Sequence, residues 1–345
     1  MQRIKTHFSD TLINWFSKAK RDLPWRETKN PYSIWLSEII LQQTRVEQGL
    51  PYYQRFLEHH PDVHSLAQCT EKNVLKLWEG LGYYSRARNL HATAKYVSEE
   101  LDGVFPDTYD GLIKLKGIGP YTAAAIASIA FGEATPVVDG NVFRFVSRYF
   151  GVEDDISKPA TRKVFENLLK TFIPEDQPGD FNQATMEYGA RVCAPSPKCS
   201  ECVFVQGCFA YKNKSYRRLP FKSQKVKTEE VFMDYVIFEK EGNYLLQARN
   251  KGIWNGLYQF HLDEKKSPQL LIDKFGGEIT RQSEKVKHLL THRKLWVTFT
   301  HVRIDDQKDF RHIAKELSLE IFSKEEMLTL PRPKVIVNYL QEMVN

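Results

Sequence analysis

Hydrophobic positions in the first 210 residues recur with the 3.6-residue period of α-helices. Phe8, Leu12, Trp15 and Phe16 form one stripe, which predicts an amphipathic surface helix near the N-terminus. Two further helical stripes are Trp35, Leu36, Ile39, Ile40 and Val74, Leu75, Leu77, Trp78, Leu81. Short polar or Gly/Pro-rich breaks occur at 29–31, 80–82, 103–106 and 117–120. The pattern predicts an all-α module over residues 1–211.

The pattern changes after a basic stretch at 212–228, which contains seven Lys or Arg residues and no acidic one. We interpret it as a solvated linker that is also able to contact phosphates. Beyond it, strands are predicted at Val231–Phe238, Tyr244–Ala248 and Leu295–Arg303, and helices at Pro268–Phe275 and from about Pro331. Residues 229–345 are therefore expected to form a smaller α+β domain.

Composition excludes several classes of protein. The chain is 42% hydrophobic and 27% charged, and no segment approaches the ~18 consecutive apolar residues of a membrane span. The N-terminus lacks the apolar core of a signal peptide, so we expect a cytoplasmic protein without a membrane partner. A net charge of +6 permits a polyanionic partner without identifying one.

Four of the five cysteines fall within sixteen residues, at Cys193, Cys199, Cys202 and Cys208. Four thiolates in one loop (193–208) can surround a [4Fe–4S] cluster or a tetrahedral zinc ion. Zinc ribbons usually pair two C-x2-C units, whereas this loop has one, so the spacing favours the cluster. Two disulfides are the alternative, disfavoured because nothing else in the chain looks secreted.

A glycine pair marks a second candidate site. Gly117 and Gly119 bracket Ile118, and a helix rich in small residues follows from Tyr121. Outward-facing N–H groups at such a turn suit a phosphate, as in a helix–hairpin–helix that binds the DNA backbone, here at 109–131. A tight corner between two helices is the alternative.

Two carboxylates stand in apolar surroundings. Glu38 is either on the polar stripe of its helix or desolvated, with a raised pKa. Asp139 follows the apolar segment 136–138 and either caps the next helix or is a partly buried carboxylate. The spacing leaves both choices open.

Taken together, these motifs resemble the helix–hairpin–helix DNA glycosylase superfamily, of which endonuclease III is the best-known member. Over essentially the full length, further motifs resemble its adenine DNA glycosylase branch: Leu23-Pro24-Trp25-Arg26, Trp35-Leu36-Ser37-Glu38, Leu41-Gln42-Gln43-Thr44-Arg45, Gly80-Leu81-Gly82-Tyr83-Tyr84, Val138-Asp139-Gly140-Asn141 and Asn182-Gln183-Ala184. The resemblance implies removal of adenine mispaired with 8-oxoguanine or guanine in double-stranded DNA.

The resemblance also implies roles for single residues. Glu38 would protonate N7 of adenine, and ionised Asp139 would stabilise the oxocarbenium-like sugar, with Tyr121 and Asn141 as orienting partners. Bifunctional members carry a nucleophilic lysine at position 121, so tyrosine implies base removal only, leaving an abasic site. Lys116 is then better interpreted as a phosphate contact.

The remaining implied roles concern DNA. Gln43 and Tyr83 would fill the gap left by the flipped base and wedge beside the lesion, although an aromatic such as Tyr83 or Trp25 is often a core residue. The other residues are Trp25, Arg26 and Gln183 in the adenine pocket, and Arg45, Arg86 and Lys198 at the DNA backbone. A cation held by carbonyls near 113–118 is an expectation at the level of the family.

Two departures from the family pattern and one from the Nudix hydrolases matter. The first cysteine gap holds five residues instead of six. Residues 229–345 resemble the Nudix-like domain that recognises oxidised guanine, with Gly252–Phe260 as its Gly–aromatic stretch, but they lack the glutamate spacing of a Nudix hydrolase. The lesion-reading Phe-Ser-His is replaced by Leu290, Thr291 and His292, which loses the aromatic ring.

Two other functions are alternatives to adenine removal. An endonuclease III-like glycosylase/lyase is disfavoured by Tyr121 and by the C-terminal domain. A non-catalytic lesion-binding or redox protein is disfavoured because both Glu38 and Asp139 are present. A monomer is the default expectation.

Overall fold

The computed structural model describes residues 2–223, 228–263 and 267–344. The chain divides into two compact units, each built from two stretches of sequence. The first contains Met1–Gln68 and Asn89–Lys225, and the second contains Cys69–Arg88 and Val226–Asn345. The helical periodicity of 69–88 gave no indication that this segment packs with the C-terminal fold.

Residues 2–223, as described, contain helices and no strand, which agrees with the predicted all-α module. The α-helices are α1 (Gln2–Ala19), α2 (Pro31–Leu41), α3 (Val46–His59), α4 (Val63–Gln68), α5 (Glu71–Leu77), α6 (Ser85–Glu100), α7 (Tyr109–Leu112), α8 (Pro120–Ala130), α9 (Gly140–Phe150), α10 (Pro159–Lys170), α11 (Pro178–Arg191) and α12 (Phe209–Lys212). The expected stripe from Val74 to Leu81 is wrong at its end: α5 stops at Leu77, and Gly80 and Gly82 adopt left-handed φ angles of 101° and 73°.

An aromatic cluster centred on Phe8 packs α1 against α9 and α11. The Phe8 ring lies between 5.1 and 6.4 Å from six other aromatic rings. Gly189 on α11 permits a close approach to α9, since an added Cβ would lie 2.4 Å from the carbonyl oxygen of Asn141. This packing fixes the start of α9, where Asp139 is found.

Part of the predicted linker is packed rather than solvated. Ser215 and Leu219 are 2% and 3% exposed, and the N–H of Ser223 donates to Asp155. Lys225 and Lys227, which were included in the linker, lie outside the described residues.

The second unit contains a mixed sheet with helices. Its strands in the described residues are β1 (Glu229–Lys240), β2 (Asn243–Ala248), β3 (Tyr258–Gln259), β4 (His261–Leu262), β5 (Glu278–Gln282), β6 (Val286–Leu289), β7 (Arg293–Arg303) and β8 (Glu320–Ser323). Its C-terminal helices are α13 (Pro268–Phe275), α14 (Gln307–Glu316), α15 (Lys324–Thr329) and α16 (Lys334–Val344). The path β3-β2-β1-β7-β5 has a long parallel β1–β7 pair at its centre.

The three predicted strands and the helix Pro268–Phe275 are confirmed. The short strands β3, β4, β5, β6 and β8 and the helices α14 and α15 were not foreseen. No helix in the described residues is long and apolar enough to cross a bilayer.

Candidate active site

Glu38 lies in the last turn but one of α2, a helix in which eight of eleven residues are buried. The residue is 8% exposed, so the desolvated interpretation is the one that the structure supports. Burial raises the pKa of Glu38 to about 7, and the negative charge of Asp139 adds to the effect. A hydrogen bond from Tyr121 and the charge of Arg26 oppose it. The carboxyl is therefore poised to hold a proton at neutral pH.

Asp139 combines both roles that the sequence left open. It caps α9, because its Oδ1 accepts a 2.7 Å hydrogen bond from the N–H of Val142. Its Oδ2 accepts a 2.8 Å hydrogen bond from Nδ2 of Asn141. Burial raises the pKa of Asp139, while these hydrogen bonds and the charge of Arg144 act in the opposite direction and favour the carboxylate.

Arg144, one turn further along α9, was not singled out from the sequence. Its Nη2 donates to Oδ1 of Asn141 at 2.8 Å and to the carbonyl of Gly189 at 2.6 Å, and its Nε donates to the carbonyl of Cys193 at 2.8 Å. Because Arg144 occupies the amide oxygen, the amide nitrogen of Asn141 is directed to Asp139. The i,i+3 spacing from Asn141 was the only signal available in the sequence.

Tyr121 lies in the first turn of α8 and interacts with both carboxylates. Burial, followed by the negative charges of Glu38 and Asp139, raises the pKa of its phenol well above the ordinary value. The hydroxyl remains protonated and can donate a hydrogen bond. It also lies 3.4 Å from Sδ of Met186.

A cleft of about 500 Å³ opens beside this group of residues. The residues that line it are Leu41, Gln42, Gln43, Gly119, Pro120, Tyr121, Thr122, Val138, Asp139, Gly140 and Arg162. The cleft brings together the catalytic candidates Tyr121 and Asp139, the hairpin residue Gly119 and the gap-filling candidate Gln43. Arg162, a cation at the cleft, was missed.

The three adenine-pocket candidates are not among the residues lining this cleft. The Trp25 side chain is 8% exposed and packs edge-on against Tyr53 at 5.1 Å, as a core aromatic does. Gln183 is also buried, on α11. Arg26 donates to Glu187 at 2.9 Å and lies over the Phe16 ring at 5.1 Å, so its guanidinium is held in place.

Glu187 is the buried acid of this region and was also missed. Its side chain is 1% exposed, and Arg21 contacts it through two hydrogen bonds of 2.8 and 2.7 Å. Burial would raise the pKa of Glu187, but the hydrogen bonds and charges of Arg21 and Arg26 lower it to about 2. Glu187 is therefore an anion at neutral pH, and it holds Arg26, whose charge lowers the pKa of Glu38.

The hairpin between α7 and α8 has the geometry expected of its two glycines. Gly117 has a φ of 79°, and an added Cβ would lie 2.6 Å from Cβ of Asn89. Gly119 has no such packing constraint, since nothing lies within 4 Å of its hypothetical Cβ. Lys116 is exposed, and its carbonyl accepts a 2.6 Å hydrogen bond from Thr93. An open backbone beside an exposed lysine suits an approaching phosphate.

Gln43 and Tyr83, the two candidates for contact with the base stack, both adopt left-handed backbone conformations. Their φ values are 57° and 48°, and both side chains are exposed. Such conformations cost roughly 1–3 kcal/mol in a residue with a side chain and concentrate at functional sites. Strained, exposed residues at these positions therefore favour a functional role over a core role.

The arginines assigned to the DNA backbone differ in their surroundings. Arg45 is exposed at the start of α3, and Lys198 is also exposed. Arg86 is stacked over Trp78 at 5.0 Å and donates to the carbonyls of Leu81 and Gly82, and burial lowers its pKa to about 10. Arg86 thus supports the loop that carries Tyr83.

The four clustered cysteines are free thiols around one pocket, together with Arg148. Arg148 is 4% exposed and donates to the carbonyls of Cys193, Ala194 and Leu219 and, at 3.6 Å, to Sγ of Cys193. No ion pair with a carboxylate is found for this buried cation in the described part of the chain. The described residues also contain no group of three or more ligands converging on a single metal ion.

Leu290, Thr291 and His292 form the turn between β6 and β7. The N–H of Leu290 donates to the carbonyl of Arg293 at 2.8 Å, while Thr291 and His292 are exposed. The Thr291 hydroxyl makes a hydrogen bond with the Tyr83 hydroxyl within the second unit. Glu278 and Arg281 lie on the exposed strand β5 and not on a helix, unlike the metal-binding glutamates of a Nudix hydrolase.

Both the helical part and the C-terminal part of the chain match known protein families. Residues 36–171 match the model described as "HhH-GPD superfamily base excision DNA repair protein", and residues 235–342 match the NUDIX domain. The adenine DNA glycosylase of Buchnera aphidicola (subsp. Schizaphis graminum) is 32% identical over 333 residues, covering 94% of this chain and 96% of that protein. The chain belongs to the adenine DNA glycosylase family.

Other members of the adenine DNA glycosylase family show the same relationship over shorter stretches. The human adenine DNA glycosylase is 43% identical over 215 residues, 59% of this chain and 39% of that protein.

Among solved structures, a thermostable thymine-DNA glycosylase has 29% identity and a TM-score of 0.56, covering 61% of this chain and 98% of its own. A trapped endonuclease III–DNA covalent intermediate, at 23% identity and a TM-score of 0.52, has the same helical fold, covering 62% of this chain and 97% of its own.

Family membership makes the protein a DNA glycosylase, a hydrolase of N-glycosyl bonds in base excision repair. Its helical part is the helix–hairpin–helix glycosylase module, and its C-terminal part is a Nudix-like domain.

Proposed function

We propose that this enzyme hydrolyses the N-glycosidic bond of adenine mispaired with 8-oxoguanine or guanine in double-stranded DNA. The observation that carries the proposal is the buried Glu38 carboxyl, whose pKa is about 7, next to Tyr121 and Asp139. Adenine leaves readily only when its N7 is protonated. A carboxylic acid that is still protonated at neutral pH can supply this proton, which an ordinary exposed glutamate cannot.

The second carboxylate acts on the sugar. As the base departs with its bonding electrons, the deoxyribose becomes oxocarbenium-like, and the Asp139 carboxylate stabilises this positive charge. Hydrogen bonds from Val142 and Asn141 favour the ionised form of Asp139 and fix its direction. Water then adds to the sugar carbon, giving an abasic site and free adenine.

Tyr121 favours hydrolysis alone over strand cleavage. A lyase needs an amine to form a Schiff base with the opened sugar, whereas position 121 carries a phenol that stays protonated. We therefore assign monofunctional activity to the enzyme, with Tyr121 as a hydrogen-bond donor that orients the two carboxylates.

Double-stranded DNA would be held mainly through its backbone. The open hairpin at Gly117 and Gly119, with exposed Lys116, suits one phosphate without reading sequence. A cation bound to the carbonyls at 113–118 would add to this contact.

Exposed Arg45 and Lys198 are further candidates for phosphate contacts. Gln43 and Tyr83 would each contact the stack from which adenine is extruded.

The cysteine loop would hold a [4Fe–4S] cluster, and the chemistry of its surroundings fits one. A four-iron cluster with four thiolates would be anionic and would balance the buried Arg148, which lacks a carboxylate partner among the described residues. The four cysteines line one pocket, so all four thiolates would be available as ligands of one cluster. Iron and acid-labile sulfide, each near four per chain, would support this; stoichiometric zinc would overturn it.

The Nudix-like domain would recognise the oxidised guanine through the turn at Leu290–His292. Thr291 and His292 are exposed and offer a hydroxyl and an imidazole for hydrogen bonds. Leu290 can supply apolar contact but no aromatic stacking. We expect recognition without pyrophosphate hydrolysis.

The test is a labelled duplex with adenine opposite 8-oxoguanine, guanine or thymine, analysed with and without hot alkali. Breaks that appear only after alkali, and only with the two mispairs, are expected. Breaks without alkali would mean lyase activity and would remove Tyr121 as the marker of monofunctional action. No breaks in any sample of cluster-replete protein would sink the assignment.

A further inference from the structure

The loop that carries Tyr83 is built into the second unit by contacts with the segment that leads into α16. Glu79 Oε1 accepts a 3.0 Å hydrogen bond from the backbone N–H of Arg332. The Lys76 ammonium donates to the carbonyls of Leu328 at 2.9 Å and Leu330 at 3.2 Å. The Tyr84 hydroxyl lies 3.5 Å from the carbonyl of Arg332.

These contacts form a closed ring of groups around Glu79. Lys76 also donates to both carboxylate oxygens of Glu79 at 3.2 Å, so one carboxylate links a side chain of α5 to the backbone at Arg332. The Glu79 side chain is 16% exposed, which limits competition from water. A mostly buried charge bonded to a fixed N–H is a strong positional restraint.

The restraint lies at the base of the strained loop. Glu79 directly precedes Gly80, whose N–H donates to the Tyr84 hydroxyl at 3.1 Å. The carbonyl of Gly82 accepts from the Trp78 indole at 3.0 Å. Tyr83 keeps a left-handed φ of 48° between these two anchors, a conformation that persists only where its surroundings impose it.

We propose that Glu79 is a positioning residue, which fixes Tyr83 for insertion into DNA by fastening its loop to the C-terminal fold at Arg332. The proposal rests on the proposed function in one respect, the role of Tyr83 as a wedge. It adds that part of the C-terminal fold contributes to the wedge without touching the lesion. Glu79 acts through Tyr83 and is not a catalytic residue.

The first test measures the loop itself and does not depend on activity. Glu79→Ala should increase amide hydrogen exchange at Leu81 and Arg86 by about tenfold or more, because their N–H groups donate to the carbonyls of Trp78 and Tyr83 in a loop that loses its anchor. Glu79→Gln keeps an acceptor for the Arg332 N–H and should stay close to the parent. The matched control is Asp306→Ala, which removes the cap of α14 in the same unit and should leave this loop unchanged. Unchanged exchange in Glu79→Ala would overturn the proposal.

The second test is a double-mutant cycle on single-turnover base removal from adenine opposite 8-oxoguanine. Glu79→Ala should lower the rate about tenfold in the parent and much less in a Tyr83→Ala background, since both changes disable the same wedge. Additive effects, or a Tyr83→Ala variant as active as the parent, would overturn the proposal. A parent protein with no activity on any adenine mispair would instead sink the proposed function, and the exchange result would still decide whether Glu79 fixes the loop.

Discussion

The side-chain amide of Asn141 donates a 2.8 Å hydrogen bond to Oδ2 of Asp139, and Arg144 holds the opposite end of that amide. The orientation of the amide follows from these two contacts, because only its NH₂ group can donate to a carboxylate. The carboxylate proposed to face the sugar is therefore aimed by a residue that need not touch the substrate.

The first prediction concerns this hydrogen bond. Asn141→Ala should lower single-turnover base removal roughly 10- to 100-fold, because a displaced carboxylate stabilises the sugar cation poorly. Duplex binding should change little. Asn213→Ala, which removes an amide that donates to the nearby carbonyl of Phe209, is the control. Parent-like rates in Asn141→Ala would show that Asp139 does not depend on Asn141.

The second prediction concerns pH and activity. With a pKa of about 7, Glu38 loses its proton as pH rises, so base removal should fall about tenfold per pH unit above pH 7. Glu38→Gln should be about 10²- to 10⁴-fold slower and should lack this descending limb. Rates of base removal measured from pH 5.5 to 9 on one duplex decide whether Glu38 is the acid. A parent rate that does not fall above pH 7 would remove Glu38 as the acid.

The same carboxyl should affect stability. Its native pKa lies above the unfolded value, so between pH 4.5 and 7 the native state retains a proton that the unfolded state releases. The contribution of Glu38 to stability therefore declines as pH rises through this range and stays low above it. Glu38→Gln should accordingly raise Tm more at pH 8 than at pH 5. An equal shift at both pH values would mean that Glu38 titrates normally.

The pKa of the buried Glu187 is shifted in the opposite direction to the pKa of Glu38. Its native pKa of about 2 lies below the unfolded value of 4.5, so its stabilising effect is complete above pH 4.5 and is lost as pH falls towards 2. Glu187→Ala leaves Arg26 and Arg21 without their acid and should cost about 3–5 kcal/mol in the free energy of unfolding.

Denaturant unfolding at pH 7 measures the free energy lost in Glu187→Ala. The same measurement at pH 3 shows how much of the stabilisation by Glu187 is lost as the carboxylate takes up a proton. Glu166→Ala is the matched control, since its 3.8 Å pair with Arg162 is partly exposed and should contribute about 1 kcal/mol or less. A Glu187 variant that loses no more than this control would contradict the role assigned to it.

Sequence periodicity predicted the helical module, the main strands and the helix Pro268–Phe275, because each has a long apolar stripe or run. It could not predict that residues 69–88 pack with the C-terminal fold, since a helical stripe does not reveal which surface covers it. Trp78 and Leu81 were assigned to the helical stripe because they keep the helical spacing, although the helix ends before them and Gly80 and Gly82, in the predicted break, adopt positive φ.

Among the site residues, Glu38 and Asp139 were found because a carboxyl amid apolar neighbours stands out. The residues that support them did not stand out. Arg144, Arg148 and Glu187 lie on amphipathic helices, where charged residues usually face solvent, and only the packing reveals that they are buried or hydrogen-bonded inside. The strain at Gln43 and Tyr83 was equally invisible, since neither residue type signals a positive φ.

The division of the chain has a topological consequence. The backbone passes between the two units three times, at 68–69, 88–89 and 225–226, so a single nick between 224 and 227 cuts only one of three covalent connections. After such a nick, the C-terminal piece would remain hydrogen-bonded to residues 69–88 through Glu79, Lys76 and Tyr84. The two fragments should therefore stay associated after the nick. A helical fragment expressed alone would contain residues 69–88 without the rest of the unit to which they belong.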